Sequence, residues 1–546
     1  MRKITYGIGL LVLLGVSCAE EKNNSKQNSV FNYNEMNGLS SLDPAVAGNF
    51  ENIWPVNQLF NGLVQLDDSL NVVPSIAKTY IISEDGLRYT FYLRNDVYFH
   101  DDACFVNAKG RKVVAGDFVF SLLRLYDSKV SSALSLMTHF ERGKKGERTG
   151  LVALNDSTLE LRLNKPFNAF LSLLSMKYFS VIPHEAIRYY GDDFRKHPVG
   201  TGPFRFKHWE EGTKLVMLKN EKYFETDREG KHLPYLDAVT VSFIRDRETA
   251  FMELLNGKFD MLSGADAFNI NEVLDKEGNL RELYQSKFFL QKHTFLKTDY
   301  IGILVDTSSI LAKQSPLALK QVRKAVNHAF DREKLVRFLR NKIGTPALAG
   351  FIPKGSKSYD SDVVKGYSYD PDKVKTLLQE AGYPGGKGLP ELTIHITDSY
   401  KEQAEFIQSQ LAENNIVVNI SVEKTSILRQ AVNNGEYLLF KKSWFCDYAD
   451  DENFMSLFYS KNFTPEGVNF FRYKNDLFDR YYEESLMVKD EQTRNRLFNR
   501  MDSLIIEDAP CIPLYYDEVI RLVRHNVKGL GINAMNLLNL KTVSKD

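Results

Sequence analysis

The sequence predicts a mixed α/β protein of at least two lobes, and three observations carry that expectation. The chain has 546 residues, more than a single hydrophobic core supports. Residues 87–94, LRYTFYLR, alternate apolar Leu87, Tyr89, Phe91 and Leu93 with more polar neighbours directly after Asp85-Gly86, a hairpin signal. Val322, Ala325, Val326, Ala329 and Phe330 fall on one face at helical spacing. No period of about 20 to 50 residues repeats, which argues against a solenoid or propeller.

Taken in order, the chain opens with Arg2 and Lys3, then a run from Ile4 to Val16 that is apolar apart from Thr5, Tyr6 and glycines. The run is too short to span a bilayer as a permanent helix and suits the apolar region of a secretory signal. It ends in LLGVSC, which resembles a bacterial lipobox, with Gly15 standing where a larger aliphatic residue is usual. The resemblance implies cleavage after residue 17 and lipidation of Cys18. Residues 19–29, AEEKNNSKQNS, cannot bury a core and read as a flexible tether. Residues 1–17 are therefore expected to be a signal peptide and 18–30 a lipidated tether holding a soluble body at a membrane. The hairpin at 87–94 follows. Further on, Ser315-Pro316 reads as an N-cap and first helical residue. Asp331 can cap a second helix carrying Leu335, Val336 and Leu339. A helix from about Asp490 carries Leu497, Met501, Leu504 and Ile505 and ends before Pro510; IPLYY then reads as a strand.

Composition excludes some functions. Seventy basic and seventy acidic residues balance, which argues against a nucleic-acid surface. With Cys18 lipidated, Cys104, Cys446 and Cys511 remain, without the paired spacing of a metal site; one disulfide is open, its pairing undetermined. There is no G-x-S-x-G elbow. His184-Glu185 lacks a second histidine at zinc-helix spacing, and YPGGKG at 383–388 lacks the Ser or Thr that follows a phosphate-loop lysine. Asp101-Asp102 and Asp450-Asp451 read as solvated or capping pairs. No catalytic residue, metal ligand or cofactor is assigned, and the chain is expected not to be an enzyme.

A series of segments does stand out: SSLDPAVAGNF, NQLFNGLVQLD, PSIAKTYIISEDGLRYTFYLRNDVYFHDD (74–102), VAGDFVFSLLR (114–124), PVGTGPFRF (198–206), LKNEKYF (218–224), LPYLDAVTVSFIRDRETAFMELLNGKFDML (233–262), SPLALKQVRKAVNHAFDREKLV, FIPKG and EDAPCIPLYY. In this order they resemble the extracytoplasmic solute-binding proteins of peptide-type ABC importers, family 5. The resemblance implies a two-lobed periplasmic-binding-protein-like fold of type II with an enlarged first lobe, mixed sheets and two hinge crossings. It divides the chain into lobe I at 31–290, with 61–194 as an inserted subdomain, lobe II at 291–512, and a return to lobe I at 513–546. It also implies a peptide ligand, an ABC permease as partner, a monomer, and a periplasmic or cell-surface location.

The residues that carry binding are expected in SWFCDYADDENF, residues 443–454. In peptide-binding members a Trp-x-x-Asp segment of the second lobe supplies an aspartate for the peptide's α-amino group, and Trp444 and Asp447 stand in that register. The resemblance thus assigns ligand contacts to Trp444, Phe445, Cys446 and Asp447. An ammonium entering a closed cleft loses its hydration and needs a carboxylate in exchange. DDENF lacks the proline that relatives often carry here, and Asp450 or Asp451 is expected to cap the helix that follows. Other members carry nickel complexes, sugars, haem or opines; the ten histidines show no cluster, and tryptophan occurs only at 54, 209 and 444. A surface lipoprotein serving signalling or adhesion, and a secreted hydrolase, are the readings from other classes.

Overall fold

A computed structural model describes residues 29–131, 133–144, 146–264 and 267–546. Cys18, the signal segment and all but the last two residues of the tether lie outside the described residues. Two long strands organise the molecule. Phe288–Ile303 and Cys511–Arg524 run antiparallel, and their pairing shifts register between Thr294 and Thr298. Before the shift, Phe288 to Thr294 pair with Arg524 to Glu518; after it, Thr298 to Gly302 pair with Tyr516 to Cys511. A bulge of this kind bends both strands and breaks the ladder locally.

The two halves of this pair belong to different surroundings. On one side of the shift, Arg521–Val523 pair with Met261–Ser263, and the sheet continues through Val30–Asn34, Ala238–Ser242, Lys214–Lys219 and Phe204–Glu210. On the other side, Lys297–Ile303 pair with Leu439–Phe445, and the sheet continues through Leu392–Ile396 and Val418–Val422. Parallel and antiparallel neighbours both occur, so the sheet is mixed. Two lobes result, each with its own buried core, joined by two strands. Beyond Arg524 the chain returns to the first lobe: Trp54 Nε1 donates to the Asn536 carbonyl at 2.8 Å, and Gln58 Nε2 to that of Leu538 at 2.7 Å.

Local signals read from the sequence form as expected. Ala77–Ile82 and Arg88–Leu93 make a hairpin inside a four-stranded antiparallel sheet, and Gly86 takes the positive φ of 69° that the turn demands. Asp331 caps Arg332–Leu339 through the Lys334 N–H, and Asp490 caps Glu491–Asp508 through that of Thr493. Ser315 also caps, but only a single 3-10 turn, Pro316–Ala318. The helix with the apolar face begins later, at Lys320–His328, because Leu319 is extended. IPLYY is the start of the second long strand.

One loop of the second lobe is held at both ends by buried acids. Asp502, 3 % exposed, accepts the N–H groups of Phe351 at 2.6 Å and Ile352 at 3.2 Å. Gly350 leaves room for this carboxylate, since a Cβ there would stand 1.8 Å from it. Asp451 accepts from the Ser358 N–H at 2.8 Å and its hydroxyl at 2.6 Å. Burial pushes the Asp502 carboxyl up to about 7, against the pull of its two backbone donors. The folded protein therefore holds a proton that the unfolded chain releases near pH 4, so this residue's contribution to stability falls as pH rises from about 4 to about 7. In urea titrations, Asp502→Asn carries a pH-independent cost of about 1–3 kcal/mol for the donor left unmatched. The gap between wild type and variant narrows over that pH range; a gap that widens with pH contradicts the buried, protonated carboxyl.

Candidate functional site

The site forms where Leu439–Phe445 ends beside the first long strand. Phe445 pairs with Lys297, Trp444 with Thr298 and Ser443 with Asp299. Charged groups brace this corner. Lys441 Nζ lies 2.6 Å from Asp299 and 3.9 Å from the centre of the Tyr400 ring. Lys297 bridges Asp299 at 3.1 Å and Asp517 at 2.8 Å, and Asp517 also takes Arg340 at 2.5 Å. Burial opposes ionisation of the unexposed Asp299, but Lys297 and Lys441 outweigh it and hold the carboxyl well below the usual range. Each of these charges is therefore committed within the protein.

The loop after the strand behaves differently. Asn453, 4 % exposed, accepts from Trp444 Nε1 at 2.9 Å and from the Asp447 N–H at 3.1 Å, while its amide points at Asp447 Oδ2 at 3.5 Å. It thereby fixes both residues of the Trp-x-x-Asp register. The four carboxylates of the loop then divide sharply. Asp450 is gripped by Arg494 through two bonds of 2.6 and 2.7 Å, and Asp451 by Ser358. Glu452 accepts the hydroxyls of Tyr448 and Tyr482. Among the described residues only Asp450 of the four has a Lys, Arg or His within ion-pair distance; Asp451 and Glu452 are matched by hydroxyl donors, and the Asp447 carboxylate has the 3.5 Å Asn453 amide contact alone. Burial pushes its carboxyl up to about 6, opposed only by the Asn453 amide. A half-buried carboxylate without a counter-ion is disposed to accept a cation.

The neighbouring residues take distinct places. The Phe445 ring meets Phe50 of the first lobe, centroids 5.0 Å apart, and Phe50 in turn meets Phe295 at 5.9 Å. Trp444 leans on Phe470 at 6.3 Å within the second lobe. The Cys446 thiol points into the core of the second lobe, where it contacts the Tyr448 carbonyl at 2.6 Å, and its backbone N–H donates to the Leu296 carbonyl at 2.8 Å, so neither donor of this residue is open to a ligand. Asp450 and Asp451 are not a solvated pair: both are drawn inward by partners distant in sequence. Asp451, at the N-cap position of Glu452–Met455, makes no capping bond, whereas Asp450 Oδ1 accepts the Glu452 N–H at 3.0 Å. Cys104, Cys446 and Cys511 are free thiols, and no His, Cys, Asp or Glu cluster among the described residues could hold a metal. Asn453, Phe50 and Phe295 are the site residues that sequence reasoning missed. Asn453 was absorbed into the helical reading of ENFMSLFY, and no local signal marks the two phenylalanines.

A cavity of about 770 Å3 opens between the lobes beside this loop. Leu70, Tyr89, Phe167 and Ser172 line it from the first lobe, and Ala449 and Phe498 from the second. Asp447 is not on its wall, but the next residues of its loop are. The lobes touch around it: Ser172 Oγ donates to the Ala449 carbonyl at 3.3 Å and Lys489 Nζ to that of Glu84 at 2.6 Å. Both contacts must break when the lobes part.

The comparisons with known proteins agree with this architecture. The family model described as "Bacterial extracellular solute-binding proteins, family 5 Middle" matches residues 71–465. A glutathione-binding protein of Salmonella typhi is 27% identical over 507 residues, covering 90% of each chain. A probable di/tripeptide-binding protein of Pseudomonas aeruginosa is 29% identical over 502 residues, covering 87% of this chain and 88% of the relative. Among solved structures, a periplasmic binding protein associated with an ABC transporter of Helicobacter pylori, in complex with the peptide STSA, superposes with a TM-score of 0.78 at 27% identity. It covers 95% of this chain and 99% of its own. These relatives are binding proteins and not enzymes, their solved structures share the two-lobed periplasmic-binding-protein fold, and this chain belongs to the bacterial extracellular solute-binding proteins, family 5.

Proposed function

We propose that this protein captures peptides between its lobes and delivers them to an ABC importer, with Asp447 as the anchor for the peptide's ammonium. The carrying observation is that the Asp447 carboxylate, alone among the four of its loop, is met by neither a cation nor a hydroxyl among the described residues and has only the Asn453 amide at 3.5 Å. Support for the ligand class comes from the relatives, whose names specify glutathione, di- and tripeptides, and a bound tetrapeptide; all carry a free ammonium. Main-chain hydrogen bonds along the exposed end of Leu439–Phe445 would hold a peptide in strand-like fashion, and Phe50 and Phe445 would close over it. The first lobe spans 31–290, with 61–194 as its subdomain, and the second begins at 291; the return to the first lobe falls later than 513, at the register shift past Tyr516, because Leu514 and Tyr515 are buried in the second lobe's core. Bending is concentrated at the register shift between Thr294 and Thr298. The body acts as a monomer outside the cytoplasm, tethered through lipid on Cys18. Labelling with a lipid precursor marks the wild type and not Cys18→Ser; equal labelling removes the anchor.

Two further measurements address the anchor itself. Asp447→Asn keeps the shape and removes the charge, and losing one partner of a buried pair costs about 2–5 kcal/mol, tens- to thousandsfold in affinity. By calorimetry, N-acetylation of the peptide costs the wild type a similar amount and the variant little more, because both changes delete one interaction. Additive losses contradict the assignment. The pH dependence has a defined sign. The free site must shed a proton below about pH 6 to meet an ammonium, so affinity falls as pH drops, by about tenfold between pH 7.5 and 5. This dependence is absent in Asp447→Asn; the same slope in both proteins assigns it to another group.

A further inference from the structure

A second, much smaller chamber lies inside the first lobe, beneath the paired strands Val64–Leu66 and Val72–Pro74. The turn between these strands separates it from the interlobe cavity: Asp67 and Asp68 face the chamber, and Ser69 to Val72 face the cavity. Its volume is about 40 Å3, room for a few water-sized groups at most.

Most polar groups on its wall are committed to one another. The Asn61 amide donates to the Tyr223 hydroxyl at 3.3 Å, and its oxygen accepts from Thr201 at 3.1 Å. Lys541 is paired with Glu225 and donates to Gln65 at 3.1 Å. Two donors are not committed. Ser75 is 4 % exposed and its hydroxyl has no partner. Lys177, half-buried, has neither a hydrogen bond nor an ion pair among the described residues. Burial pushes its ammonium down to about 8, and the charge of nearby Lys541 adds to the effect.

The two acids on the wall do not neutralise Lys177. Asp67 is occupied by its own turn, accepting from the N–H groups of Ser69 and Asn71 and from the Asn71 amide. Asp68 sits against Gly531 and lends its charge to the fully buried Arg521. An unpaired ammonium and an unpaired buried hydroxyl face one small space, with a second ammonium at its edge, and neither acid of the wall bonds either donor. Leaving such donors without a partner is costly, and a negatively charged oxygen or halide is the acceptor that repays them best.

We infer that the chamber bounded by Lys177 and Ser75 is a binding site for a carboxylate-sized anion. The anion could be supplied by a free halide or by the carboxylate of a ligand reaching in from the neighbouring cavity, and the two sources are separable by experiment. The first arm uses the ligand-free protein and so stands apart from the peptide reading. Thermal unfolding is compared in chloride and in a bulky aryl sulfonate, which has no carboxylate and is too large to enter, at equal ionic strength, and crystals are grown in bromide. The wild type unfolds about 1–2 °C higher in chloride, and anomalous density for bromide lies within hydrogen-bond distance of Lys177 Nζ. Both signals vanish in Lys177→Met and weaken in Ser75→Ala. The second arm, which rests on the peptide reading, compares a peptide with its C-terminal amide. If the peptide supplies the anion, amidation costs the wild type about tenfold or more in affinity, costs Lys177→Met nothing further, and chloride competes with the peptide. Water alone in the chamber, with the same response of wild type and Lys177→Met to chloride and to amidation, overturns the inference.

Discussion

The antiparallel pairing of Phe288–Ile303 with Cys511–Arg524 is the constraint on which the rest of the molecule depends. Each strand belongs to both lobes, so neither lobe completes its sheet without the other. The register shift between Thr294 and Thr298 is where that shared ladder is weakest. Lys297 and Asp517 stand within the shift and Asp299 directly beyond it, the chain closed at either end by Lys441 and Arg340. Burying charges is expensive unless each is met by an opposite one at short range. This chain of five meets the condition, and it ties the crossing strands to the second lobe from the bend itself onward. The bend is thus flanked by a rigid, ion-braced corner, and the candidate site is built on that corner.

That placement explains how one carboxylate is kept free in a crowded loop. Lys441, Lys297 and Arg340 are near in the fold but already neutralised by Asp299 and Asp517. Arg494 is consumed by Asp450. Asn453 supplies Asp447 with orientation and no charge. The protein gives the Asp447 carboxylate one neutral donor, the Asn453 amide, and pairs the nearby cations with other acids. Phe445, Phe50 and Phe295 add an apolar contact between the lobes beside it, which limits water around the carboxylate when the lobes are together and strengthens any charge pairing there.

Much of the fold was legible because its signals are local. Asp85-Gly86, Asp331 and Asp490 each act on backbone within a few residues, and each forms as the sequence indicates. The helix after Ser315 was placed too early because a capping serine followed by proline specifies one turn and not what comes next. The roles of the loop carboxylates were not legible from composition. Asp450 and Asp451 have the same chemistry as Asp447 and differ only in partners, Arg494 and Ser358, more than forty residues away in sequence or more than ninety. Cys446 shares a strand end with Phe445, yet the turn that begins there sends its thiol into the core. The contact of Phe50 with Phe445 joins the two lobes and leaves no trace in either local sequence. Family resemblance pointed to Asp447; the arrangement of its neighbours is what sets it apart from the adjacent acids.

The central claim is that the Asp447 carboxylate is free in the empty protein and paired with an ammonium in the loaded one. Carbon-detected NMR of protein labelled at aspartate side chains, with Asp447 assigned by its absence in Asp447→Asn, reads this directly. The account predicts a carboxyl that titrates near pH 6 without ligand, moves well below its ordinary value when a peptide with a free amino terminus binds, and stays unmoved by the N-acetylated peptide. A carboxyl that titrates identically with and without the free-amine peptide, under conditions where binding is saturated, contradicts it.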